Sequence, residues 1–109
     1  MEKTLKLYLP DSKSRLLILL SAFLIVACTE ENQWNRLNEQ FVTLYQQGRY
    51  SEAAKVTEKA LTVAEKTFDS EHPDVAQSLN NLAKCCREMG KKDEAEKLEA
   101  RANKIRSKR

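Results

Sequence analysis

Glycine and proline are scarce: the 109 residues hold two of each. That excludes a fold built from many tight reversals, which need glycine or proline at defined turn positions. Histidine occurs once, at His72. With no second histidine, and with two of the three cysteines adjacent at Cys85 and Cys86, no set of ligands has the spacing of a zinc site. No pairing of a nucleophile with a base is recognisable either. The chain therefore reads as a non-enzyme with no cofactor, metal or small-molecule substrate. Neither sign of charge dominates, since 19 Lys and Arg oppose 16 Asp and Glu. Nucleic-acid binding, which needs a clear basic excess on one face, is not expected.

One long apolar run is present, "LLILLSAFLIVA", residues 16–27. As a helix, its twelve residues would cover roughly 18 Å, less than the 30 Å hydrocarbon core. Its length is that of a signal-peptide apolar region, and Lys13 and Arg15 precede it. The run exits through "IVAC", with Ile25, Val26 and Ala27 before Cys28. This resembles the lipobox of bacterial lipoproteins. The resemblance implies a diacylglycerol on the Cys28 thiol, cleavage after Ala27, and a lipid anchor in the bacterial cell envelope. Thr29 in place of Asp favours the outer membrane, facing the periplasm, over the inner one. The alternative is an uncleaved signal anchor carrying a cytoplasm-facing adaptor or accessory subunit.

Cleavage would leave 82 residues with 15 basic and 14 acidic side chains, enough for one small domain. The expected organisation is a signal peptide over 1–27, a tether over 28–33 and a domain over 34–109. Ala, Glu, Lys, Leu and Gln dominate that domain, and all are good helix formers. It is expected to be all-α.

Two segments superpose at an offset of 42 residues: Leu37 on Leu79, Gly48 on Gly90, Ala53 on Ala95 and Ala60 on Ala102. A fixed period with small residues at fixed places marks a stacked repeat. Leu37, Phe41 and Leu44 form one helical stripe, and Gly48 ends it. Ser51 is the expected cap of the next helix, which turns Ala53, Val56, Ala60, Leu61 and Ala64 inward. Pro73 suits the first turn of a third helix, with Ser70 or His72 as its cap. Leu79, Leu82, Ala83 and Cys86 line that helix, and Ala95, Leu98 and Ala102 line a fourth. Cys86 is expected to fill a small apolar slot with Cys85 beside it; an intermolecular disulfide is the other reading. Trp34 is expected to cap the first unit.

Ala83, Gly90, Ala95 and Ala102 fall where tetratricopeptide repeats carry small residues, and "SEHPDVAQSLNNLAKCCREMGKKDEAEKL" resembles the kinesin-light-chain type of that repeat. The resemblance implies two helix–turn–helix repeats, about 34–68 and 73–106, as four antiparallel helices in a short α-solenoid. Cys86, Lys92, Thr57 and Glu99 stand where the family often has aromatic rings, and Phe41 where it has a small residue. Such proteins act as adaptors or assembly factors that bind a protein or peptide in a concave groove. Here Asn38, Val42, Tyr45, Asn80, Lys84 and Arg87 would line it, with Asn35 and Gln77 beside them and Asn80 and Asn81 holding an extended peptide. With only two repeats, an open end completed by a partner or a second copy is also expected. The basic tail "NKIRSKR" would offset the negative end of the last helix or meet anionic lipid.

Overall fold

The computed structural model describes residues 32–108. The leader, its cleavage point and Cys28 lie outside the described residues. Four helices occupy the described part: α1 over 32–46, α2 over Tyr50–Thr67, α3 over Pro73–Glu88 and α4 over Lys92–Ser107. No strand occurs among the described residues, and the fold is an all-α two-repeat solenoid.

The two inner turns of the repeats are copies of each other. Gly48 and Gly90 both adopt positive φ, +74° and +78°, where a Cβ is disfavoured. The Arg49 amide donates to the Leu44 carbonyl at 2.9 Å, and the Lys91 amide donates to the Cys86 carbonyl at 2.8 Å. The Gly48 and Gly90 amides close the shorter bonds to Tyr45 and Arg87. Each is the six-to-one, five-to-two pattern that ends a helix on glycine. The next helix starts at once, because the Arg49 carbonyl accepts from Ala53 and the Lys91 carbonyl from Ala95. Arg49, not Ser51, is therefore the cap residue of α2, and no side chain caps it. The tight turn leaves no room for a separate capping residue further on.

The connection between repeats works differently. His72 caps α3, its Nδ1 accepting from the Asp74 amide at 3.1 Å, and Pro73 opens the helix. The His72 ring stacks on Phe68 at 4.0 Å between centroids. Asp69 Oδ1 accepts from the Glu71 amide, which tightens the loop.

One cluster sets the direction of all four helices. It joins Trp34 of α1, Ala60 and Ala64 of α2, Val75, Ala76 and Leu79 of α3, and Ala102 and Ile105 of α4. The starts of α1 and α3 thus meet the ends of α2 and α4, so neighbouring helices run antiparallel. Trp34 belongs to this shared core rather than capping the first unit alone. A second cluster sits nearer the glycine turns: Phe41, Ala53, Ala54, Leu82 and Cys85. Phe41 fits there because it faces the small side chains Ala53 and Ala54. The buried Thr57 hydroxyl donates to the Ala53 carbonyl at 2.8 Å, so this hydroxyl is not stranded. Cys86 fills a small apolar slot as expected, and Cys85 beside it is buried still more fully. The phase of α3 points Cys85 at the first repeat, while Cys86 packs with Ala83, Ala95 and Leu98 within the second.

Candidate functional site

The first helices of the two repeats, α1 and α3, lie side by side and carry the residues expected to line the groove. Three side-chain hydrogen bonds fasten them. Trp34 Nε1 donates to Ser78 Oγ at 2.9 Å in the buried end of the seam. Asn81 Nδ2 donates to Asn38 Oδ1 at 2.9 Å in the middle. The Tyr45 hydroxyl donates to Glu88 Oε1 at 3.3 Å at the far end. The Tyr45 ring also packs on Phe41 and Tyr50, with centroids 5.5 and 5.2 Å away. Burial, and then the Glu88 charge, hold the Tyr45 hydroxyl in its neutral form above its ordinary range.

The expected groove residues therefore divide. Asn38 and Tyr45 join the two helices to each other. Asn80, with its amide in the orientation that satisfies both groups, accepts from two Arg106 nitrogens of α4 at 2.6 and 3.0 Å. Arg87 donates from Nε and Nη2 to the two carboxylate oxygens of Glu99, at 2.8 and 2.6 Å. Those charge-assisted bonds raise Arg87 and lower Glu99 from their ordinary values. Val42 and Lys84 remain. Val42 is 44% exposed, the one large exposed apolar side chain among the described residues. Lys84 is exposed and takes part in no ion pair. Asn35 and Gln77 are exposed on the same two helices. Asn81 is buried and committed to Asn38, so its amide is turned into the seam rather than outward.

The engagement of Ser78, Asn81 and Arg106 is absent from the sequence reading. Ser78 and Asn81 lie near Leu79 and Leu82 on α3, and this is the signal that could have found them. Polar residues flanking an apolar stripe face a neighbouring helix when repeats stack. Arg106 carries no such signal, because it sits in a basic tail that reads as solvated.

A second hollow lies away from the concave face. A cleft of about 490 Å³ opens between α2 and the second repeat, floored by Ala54, Leu82, Cys86, Met89 and Leu98. Desolvation raises both thiols, pushing Cys85 up to about 11, so neither is an activated nucleophile at neutral pH. No group of His, Cys, Asp and Glu among the described residues could hold a metal ion. No described helix is long and apolar enough to cross a membrane.

The tetratricopeptide repeat family matches residues 42–108, most of the four helices just described. The chain belongs to the tetratricopeptide repeat family. A search of curated proteins finds no match to it. Tetratricopeptide repeats are typically non-catalytic modules of protein–protein interaction.

Proposed function

We propose that this tetratricopeptide domain is tethered to a bacterial membrane through acylated Cys28 and binds a segment of a partner protein across α1 and α3. It serves as an adaptor or assembly factor in the cell envelope, at the periplasmic face of the outer membrane. The "IVAC" exit from the apolar run supports the tether. The observation that carries the binding surface is the pairing of exposed Val42 with unpaired Lys84 beside a rigid, hydrogen-bonded seam. Val42 offers an apolar contact and Lys84 a charge, while Asn35 and Gln77 can donate and accept along a peptide backbone. The seam fixes the distance between the two helices before a partner arrives, which lowers the ordering cost of binding.

The test is site-specific photo-crosslinking in cells, with the crosslinker at position 42 or at exposed Thr62 on α2. A discrete adduct from position 42, absent from position 62 and weakened by Lys84→Glu, is expected. Equal adducts from both positions, or none from 42, would remove the concave surface as the binding site.

A further inference from the structure

The charge of the chain is segregated. Residues 97–109 carry six Lys and Arg against the single acid Glu99, whereas residues 28–96 carry nine against thirteen acids. On α4, Lys97, Arg101, Lys104 and Lys108 follow one another at spacings of four, three and four. They share one helical face. The opposite face holds the buried Ala95, Ala102 and Ile105. Acids from other elements stand beside this stripe. Glu65 of α2 lies 3.6 Å from Arg101, and Glu71 of the inter-repeat loop lies 3.1 Å from Lys108. Asp69 is satisfied by the Glu71 amide, and Asp74 lies 3.7 Å from His72 Nδ1 at the start of α3. Lys97 and Lys104 face no carboxylate within ion-pair distance, and Arg106 meets only the neutral Asn80 amide.

Position in the fold gives this charge a partner. Trp34, near the start of α1, and Ile105, in the last turns of α4, belong to one packed cluster. The point where the chain enters the domain and the basic end of α4 are therefore on the same end of the solenoid. Cys28 precedes residue 32 by four positions, a reach of at most about 14 Å even for extended chain. Whether the chain is held by an acyl group on Cys28 or by an uncleaved apolar run ending at Ala27, the bilayer surface lies within that reach. From Arg101 to Lys108, α4 advances only about 10 Å, comparable with the screening length at physiological salt.

We propose that the basic end of α4, through Lys104 and Lys108 with Arg101 behind them, docks on anionic phospholipid headgroups of the membrane that holds the N-terminus. This rests on the membrane-tether reading. The contact orients the solenoid with its glycine turns, Gly48 and Gly90, away from the bilayer. The exposed face of α4 carries no large apolar side chain, so contact is with headgroups only and is salt-sensitive.

The test uses the full chain extracted from membranes and returned to vesicles of phosphatidylcholine, alone or with phosphatidylglycerol. Flotation reports the tether, and the rate of tryptic cleavage after Arg106 reports the contact. Flotation with both vesicles is expected, with cleavage slowed by about threefold or more only where phosphatidylglycerol is present. That protection should vanish in about 1 M salt and in Lys104→Glu/Lys108→Glu, both exposed positions, while flotation persists. Flotation with equal cleavage on both vesicles would overturn the headgroup contact and leave the tether standing. Failure to float on phosphatidylcholine would overturn the tether and this inference with it.

Discussion

The two repeats share their turns and differ in their filling. Repeat one packs with rings: Trp34, Phe41, Tyr45 and Tyr50. Repeat two has no aromatic residue in α3 or α4 and packs with Leu79, Leu82, Ala83, Cys86 and Ala95. At the 42-residue offset, Leu44 corresponds to Cys86 and Tyr50 to Lys92. The cleft floored by Cys86 opens on the thinner side of that exchange. The lesson is that the backbone geometry of this repeat survives large changes of side-chain volume as long as the glycine turn and the small residues of the second helix are kept. Repeat two compensates by depending on its neighbour, since Leu79, Leu82 and Cys85 reach into cores that repeat one completes.

That dependence can be broken most severely at Leu79, which is fully buried in the shared core. Leu79→Ala should cost about 3 kcal/mol through lost burial and the cavity left behind. A domain of this size has only about 3–5 kcal/mol in reserve, so urea unfolding should show the variant close to its midpoint without denaturant. A second comparison sets two adjacent cysteines against each other. Cys85→Leu forces volume into a sealed site and should destabilise by about 2 kcal/mol, whereas Cys86→Leu extends over the cleft floor and should stabilise by about 0.5 kcal/mol. Opposite shifts in thermal midpoint check this. Alkylation should follow the same order, with Cys86 modified before Cys85.

The likeness of the turns can be sharpened with Gly48→Ala and Gly90→Ala. Nothing lies within 4 Å of the position a Cβ would take at either glycine. Both substitutions should therefore cost the same amount, about 1 kcal/mol, from the positive φ alone. Unequal costs in chemical denaturation would mean that the turns are not equivalent. The smallest effect concerns Arg87 and Glu99. Hydrogen bonds from Arg87 lower the Glu99 carboxyl, so the pair stabilises the fold above the ordinary carboxylate range. That contribution is lost as pH falls through the lowered value. Arg87→Gln should flatten the acid limb of a thermal-stability profile, by little because both groups are exposed.

Much of this architecture is legible in the sequence, for a physical reason. Gly48 and Gly90 are the only glycines, each at the end of an apolar helical stripe, and a residue free to take positive φ is what such an end requires. Pro73 after His72 announces α3 in the same way. The start of α2 is harder to read, because Arg49 rather than Ser51 holds the cap position and no side chain caps the helix. The contact of Cys85 with the first repeat is also hidden, since one helical step decides which cysteine meets that repeat. The concave face is legible as a set of exposed-looking polar positions. Which of them are already engaged is not, because Asn38 with Asn81 and Asn80 with Arg106 are pairs that only the packing of helices brings together. Asn80 with Arg106 and Arg87 with Glu99 also bind α3 to α4 with hydrogen-bonded side chains.

A repeat module held at a membrane by Cys28 is tested most directly by the intact mass of the protein extracted from membranes, beside that of Cys28→Ala. The account predicts loss of residues 1–27 and an added acyl mass, both abolished in the variant. An unmodified full-length mass would contradict the lipid tether and leave the apolar run as an uncleaved anchor.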